Sequence, residues 1–260
     1  MDPNLIRPYT RSLDPQDYEF LRPVYDPLKL WQASMVAKGV PHRDWHPHRF
    51  WEYSSILQQL YELNVPFNAK VIDIGSGGCF FAPYLAVIGW DLSLTDSMKY
   101  GDITPMVQAQ RDYYGISLPL YDIPLEDMSE RPDVWWSGLS DFWDVTLCIS
   151  TIEHVDDHDA AMREMVRITK PGGYIFITSD YFRDLGHFEQ SISRHLQVTP
   201  YREEFVLGLP ERFGLEFVGE TDLAYRGDFV HNYSFCNVAM RKPRAVSTST
   251  VTVDDNGKAL

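Results

Sequence analysis

The run Lys70-Val71-Ile72-Asp73-Ile74 is a short apolar stretch interrupted by one acid, and Gly75-Ser76-Gly77-Gly78 follows it directly. A strand that opens into three glycines within four residues ends in a turn almost bare of side chains. Only such a turn lets backbone N–H groups close around a bound ligand. A second acid, Asp96, ends the next strand-like run, Asp91–Thr95. The two features describe a crevice for a nucleoside-type molecule, with its anionic end at the glycine turn and its ribose near the second acid.

From residue 70 onward the chain alternates strand and helix. Strands are expected at Lys70–Ile74, Asp91–Thr95, Ser117–Tyr121, Val145–Ser150, Tyr174–Thr178, Leu215–Glu220 and Ser234–Arg241. Helices are expected near Phe80–Ile88, Thr104–Tyr114, Asp157–Thr169 and Arg202–Arg212. The continuous apolar character of several strands fits a sheet buried on both faces. Repeated strand–helix–strand units predict an α/β fold with a doubly wound, mostly parallel seven-stranded sheet. Ligands of such sheets sit beyond the carboxyl ends of the strands, where Asp73, Asp96, Asp122 and Ser150 fall.

Ahead of the sheet, residues 1–65 read as an arm rich in proline and aromatics. It holds a short helix near Leu28–Lys38 and an amphipathic one over Arg49–Leu63, and is expected to serve as a lid. Residues 66–242 form the main domain, and 243–260 a mobile Ser/Thr-rich tail. Lys+Arg 23 against Asp+Glu 37 gives a net charge of −14, which argues against nucleic acid and anionic membrane as partners. No apolar run approaches the ~18–20 residues that span a bilayer, and the N-terminus lacks signal-peptide character. Cys79, Cys148 and Cys236 are widely spaced and read as reduced thiols, so a cytoplasmic location is expected. Oligomeric state is not readable.

The glycine turn discriminates among cofactors. A dinucleotide fingerprint needs a third glycine at the sixth place, where Phe80 stands, and no Gly-Lys-Ser/Thr follows for a phosphate loop. A carboxylate at Asp73 would repel pyrophosphate but suits a cofactor with an ammonium group near the turn. S-adenosylmethionine carries an ammonium, a carboxylate, a ribose and an adenine, which matches this polar pattern. Over about residues 68–241 the chain resembles the class I S-adenosylmethionine-dependent methyltransferases. Their first motif is similar to Asp73-Ile74-Gly75-Ser76-Gly77-Gly78-Cys79, with Cys79 in place of the last glycine. Their second is similar to Gly89 through Ser97, and their later strands to Trp143–Val155 and Lys170–Ile177.

The resemblance implies that Asp73, Gly75, Ser76 and Gly77 hold the methionine end and that Asp96, with Ser97 beside it, holds the ribose. It also implies that Asp122 and Ile123 face the adenine and that Ser150 lies below the methyl group. Asp96 also reads as a helix N-cap, and Asp127 competes with Asp122. His154 is the candidate general base, and it equally reads as a packing residue. Asp180, Tyr181, His187 and His195 are further candidates for the acceptor side, and residues 182–205 for a cover. His42, Trp45, His46, His48 and Trp51 read as an aromatic surface rather than a metal site, and Trp135 and Trp136 as core. The segment Arg49-Phe50-Trp51-Glu52-Tyr53 is similar to a helix of methyltransferases linked to surface polysaccharides, which hints at a sugar or other small-molecule acceptor. The expected activity is methyl transfer to oxygen or nitrogen. The alternatives are a non-catalytic cofactor-binding partner protein and, more remotely, a nicotinamide-dependent oxidoreductase.

Overall fold

A computed structural model describes residues 9–14, 16–43, 49–130, 138–182, 198–225 and 234–244. Of the residues singled out above, Trp45, His46, His48, Trp135, Trp136, His187 and His195 lie outside this set, with most of segment 182–205 and most of the tail.

The strands are β1 (Thr10–Ser12), β2 (Lys70–Ile74), β3 (Asp91–Asp96), β4 (Leu120–Asp122), β5 (Trp143–Ile149), β6 (Thr169–Tyr181), β7 (Glu216–Phe217), β8 (Thr221–Asp222) and β9 (Ser234–Arg241). They form one sheet in the order β4-β3-β2-β5-β6-β9-β1-β8, with β7 paired to β9. Pairings β2–β3, β2–β5, β3–β4, β5–β6 and β1–β8 are parallel, whereas β9 runs antiparallel to β1, β6 and β7.

The seven-stranded expectation is corrected to nine strands among the described residues, for two physical reasons. Of the run expected as a strand over Leu215–Glu220 only β7 is extended; the chain turns at Gly219, whose φ is 68°, and β8 follows just beyond the run. The arm supplies the other strand. β1 pairs with β9 through Arg11↔Asn237 and Ser12↔Cys236, a partnership more than 220 residues apart in sequence that carries no local signal.

Alternating side chains along the strands bury both faces, as the continuous apolar runs require. Val71, Leu92, Leu94, Val145 and Leu147 join a core with helices α2 (Arg22–Ala37), α3 (Arg49–Glu62), α4 (Phe81–Val87) and α5 (Thr104–Tyr114). Ile72, Ile74, Cys148, Ile175 and Ile177 join a second core with α6 (His158–Ile168) and α7 (Glu203–Phe213). The short α1 (Asp17–Phe20) precedes α2.

The arm is bolted to the sheet rather than laid loosely over it. Asp17 accepts from the Trp51 indole N–H at 3.0 Å and pairs with Arg11 at 3.3 Å, and the Tyr9 carbonyl accepts from Gln59 and Asn237. Trp51, Tyr53, Ile56, Leu57 and Leu60 of α3 are buried. All three cysteines are buried and unpaired. Among the described residues no helix is long and apolar enough to cross a membrane.

Candidate active site

Strand order reverses between β2 and β5: β3 and β4 continue on the β2 side of this pair, β6 on the β5 side. The loops leaving β2 and β5 therefore diverge, and a crevice opens beyond the carboxyl ends of the strands. A cleft of about 820 Å³ lies there, within the ordinary size range of cofactor pockets. It is lined by Gly75, Ser76 and Gly77 after β2, Asp96 and Ser97 after β3, Ile123 to Glu126 after β4, and Ser150 to Asp156 apart from Ile152 after β5.

The glycine turn is a left-handed corner. Gly75, Gly77 and Gly78 have φ of 66°, 62° and 70°. A Cβ at Gly75 would collide with the Thr151 side chain, whose hydroxyl donates to the Gly75 carbonyl at 3.1 Å. The turn is tied to β3 by the N–H groups of Gly75 and Ser76, both on the Thr95 carbonyl. Asp96 completes the tie, accepting from Gly77 N–H at 2.9 Å and Met98 N–H at 2.8 Å. Asp96 thus shapes the turn while its carboxylate borders the cleft. Beneath it, Asp73 is 2% exposed. Burial, then the nearby Asp96 carboxylate, push its pKa up to about 7 against the opposing pull of Arg49.

Asp122 does not line the cleft: it ends β4 exposed, paired in register with Asp96. The chain turns after it, so the cleft wall is made by Ile123, Pro124, Leu125 and Glu126 instead. Ser150 does reach the cleft, in a left-handed conformation with φ of 42°. Its hydroxyl is committed inward, donating to Glu52 at 2.5 Å. Glu52 also accepts from the Thr178 hydroxyl at 2.5 Å and pairs with Arg49 at 3.3 Å. Helix α3 thereby pins the ends of β5 and β6 together under the cleft. The sequence signal for this was present: Arg49 and Glu52 stand one turn apart within an apolar helical stripe, where charges need partners.

His154 lines the cleft at the end of a 3-10 turn, Ile152–His154. Its Nδ1 lies 3.3 Å from the Tyr100 hydroxyl, and its carbonyl accepts from Lys99. Burial, then Arg49 and Lys99, lower its pKa to about 4, so the ring is neutral near pH 7. Glu153 and Asp180 form part of the floor, whereas Tyr181 is buried with its hydroxyl on the Leu223 carbonyl. Among the described residues no group of three or more His, Cys, Asp and Glu could hold a metal.

Comparison with known proteins gives this geometry a family. A family profile described as a methyltransferase domain matches residues 45–216, from α3 through β7. The chain is 27% identical over 146 residues to the ubiquinone biosynthesis O-methyltransferase of Pseudomonas savastanoi pv. phaseolicola, covering 51% of this chain and 58% of that protein. It is 25% identical over 170 residues to the enzyme of the same name from Paracidovorax citrulli, covering 59% and 62%. The chain thus spans somewhat over half the length of these relatives.

Among solved structures, the [4+2]-cyclase SpnF superposes with a TM-score of 0.59 at 14% identity, covering 88% of this chain and 94% of that one. The N-methyltransferase NodS of Bradyrhizobium japonicum, in complex with S-adenosyl-L-homocysteine, superposes with a TM-score of 0.55 at 17% identity, covering 85% and 98%. These structural likenesses speak to the fold. The chain belongs to the class I S-adenosylmethionine-dependent methyltransferases, and S-adenosylmethionine is the cofactor of that family.

Proposed function

We propose that the protein transfers a methyl group from S-adenosylmethionine to an oxygen or nitrogen of a small molecule. One observation carries this reading. The side-chain-free corner at Gly75–Gly77, the Asp96 carboxylate and the apolar wall from Ile123 face one cleft at the switch point of the sheet. The residues fit the cofactor: Gly75 lets Thr151 pack against the left-handed turn that lines the cleft, and the buried Asp73 carboxyl below it suits a cationic neighbour. Gly75, Ser76, Gly77 and Asp73 would hold the methionine end, Asp96 and Ser97 the ribose, and Ile123 and Leu125 the adenine face. When bound, the cofactor supplies a methyl group already activated by its sulfonium.

The protein then contributes position and a path for a proton. Neutral His154 has its Nδ1 3.3 Å from the Tyr100 hydroxyl; in the tautomer with the proton on Nδ1, Nε2 is the acceptor for the proton of the substrate's nucleophile. The Glu52 bridge holds Ser150 in its left-handed conformation and so fixes the floor. The names of the sequence relatives favour oxygen as the methylated atom. A non-catalytic cofactor-binding protein is the second reading, favoured by the inward commitment of Ser150, and turnover with any acceptor excludes it.

Calorimetry with S-adenosylmethionine and S-adenosylhomocysteine tests the proposal. Binding of both is expected, weakened by ~1–3 kcal/mol in Asp96→Ala through loss of charge-assisted hydrogen bonds. Folded wild-type protein that binds neither refutes it.

A further inference from the structure

The charged groups around the cleft are unevenly satisfied. Arg49 pairs with Glu52 at 3.3 Å. Arg43 donates to the carbonyls of Tyr100 and Gly101 at 3.2 and 3.4 Å, and Lys99 Nζ lies 3.5 Å from the His154 carbonyl. Each of these cations already has an oxygen. Glu153 is the reverse case. It lines the cleft, its residue is 3% exposed, and its Oε2 is turned away from solvent with no hydrogen-bond partner among the described residues. Asp180, 2% exposed at the end of β6, lines the same floor. A buried carboxyl oxygen without a donor weakens the fold, and a second acid beside it compounds the cost. Such an arrangement persists where a ligand supplies what the protein withholds.

We propose that the Glu153–Asp180 floor is an amine-binding subsite of the acceptor pocket: the Glu153 carboxyl turns to the cleft and accepts an N–H from a cationic amino group of the acceptor. This rests on the proposed function, which places the acceptor beyond the glycine turn. Burial, and after it Asp180, hold the Glu153 carboxyl well above the ordinary range, with Arg49 opposing. An arriving cation relieves that arrangement. A neutral hydroxyl would supply a hydrogen bond without the charge, and an anion would be repelled. The cofactor's own ammonium has the same chemistry, so the test must separate the two sources.

The test uses the full chain saturated with S-adenosylhomocysteine, whose ammonium then occupies whatever place the cofactor takes. Tyramine, tyrosol and 4-hydroxyphenylacetate present a cation, a neutral hydroxyl and an anion on one aryl scaffold, and their affinities are measured by ligand-observed NMR. Tyramine is expected to bind at least about tenfold more tightly than tyrosol, and 4-hydroxyphenylacetate most weakly, as a charge-assisted hydrogen bond dictates. Glu153→Gln should erase the preference while leaving S-adenosylhomocysteine affinity within about twofold, and Asp180→Asn should reduce it. Because the wild-type series needs no variant, a misfolded substitution does not blunt the test. Equal affinities, tighter binding of the acid, or no tyramine binding at millimolar concentration to cofactor-loaded protein overturns the subsite. So does a Glu153→Gln variant whose sole defect is weakened S-adenosylhomocysteine binding, since the carboxyl would then serve the cofactor. Failure of S-adenosylhomocysteine to bind wild-type protein instead counts against the proposed function itself.

Discussion

Replacing Glu52 with alanine should cost more stability than any other single charge removal near the cleft. Glu52 is fully buried and has three partners: the hydroxyls of Ser150 and Thr178, each at 2.5 Å, and Arg49 at 3.3 Å. Breaking a buried ion pair by removing one member costs about 3–5 kcal/mol where the remaining charge has no other compensation, and Arg49 keeps the attraction of the Asp73 and Glu153 carboxyls. The Arg49 side chain is 17% exposed, so water recovers part of that cost. The Ser150 and Thr178 hydroxyls lose the acceptor they share, though Thr178 Oγ1 still accepts from the Ser150 N–H at 3.0 Å, and together they add about 1 kcal/mol or more. A total of about 3–5 kcal/mol is expected, which for a chain of this size lowers Tm by roughly 10 °C.

Glu52→Gln keeps one acceptor oxygen and should lose about half as much. Adding Arg49→Met to Glu52→Ala should recover part of the loss, since an apolar replacement of both partners is far less costly than a broken pair. Thermal and urea unfolding followed by circular dichroism measure all three. A Glu52→Ala protein within about 1 kcal/mol of wild type, or no recovery on adding Arg49→Met, refutes the bridge as a structural element.

Two further predictions concern pH. Because the pKa of Asp73 is raised to about 7 in the folded chain, the folded state binds its proton more tightly than the unfolded chain does. Its stabilising contribution is complete below the unfolded value and is lost as pH rises through 7. Asp73→Asn should therefore gain on wild type between pH 4 and 7 by up to about 4 kcal/mol, and a pH-independent difference in urea unfolding would contradict this. His154 has the opposite sign. Its pKa is lowered to about 4, so its contribution is present above the unfolded value near 6.5 and lost as pH falls toward 4. Its ring resonances, identified with His154→Gln, should not titrate between about pH 8 and 5.5, and a midpoint near 6.5 would refute the assignment.

The order of strands and helices was legible because buried parallel strands are continuously apolar and their glycine turn is unmistakable. Lys70–Ile74 and the family motifs after it gave the cleft its address. What escaped is what tertiary partners decide. The three residues of β1 have no pattern of their own and become a strand only because β9 offers an edge. Gly219 stops the strand expected over Leu215–Glu220 short, and β8 starts beyond that run. Asp122 and Asp96 both end parallel strands, yet the chain turns differently after each, and only Asp96 lines the cleft. Glu52 carries no signal of its own within Arg49-Phe50-Trp51-Glu52-Tyr53 beyond its one-turn spacing from Arg49. Its role appears only when Ser150 and Thr178, 98 and 126 residues away, arrive beneath it.

The most direct measurement is a crystal structure with S-adenosylhomocysteine bound. The account predicts its amino acid end at the Gly75–Gly77 corner, its ribose hydroxyls on Asp96, and its sulfur turned toward Ser150 and His154. The ligand lying outside this cleft, or in it with the ribose away from Asp96, would contradict the account.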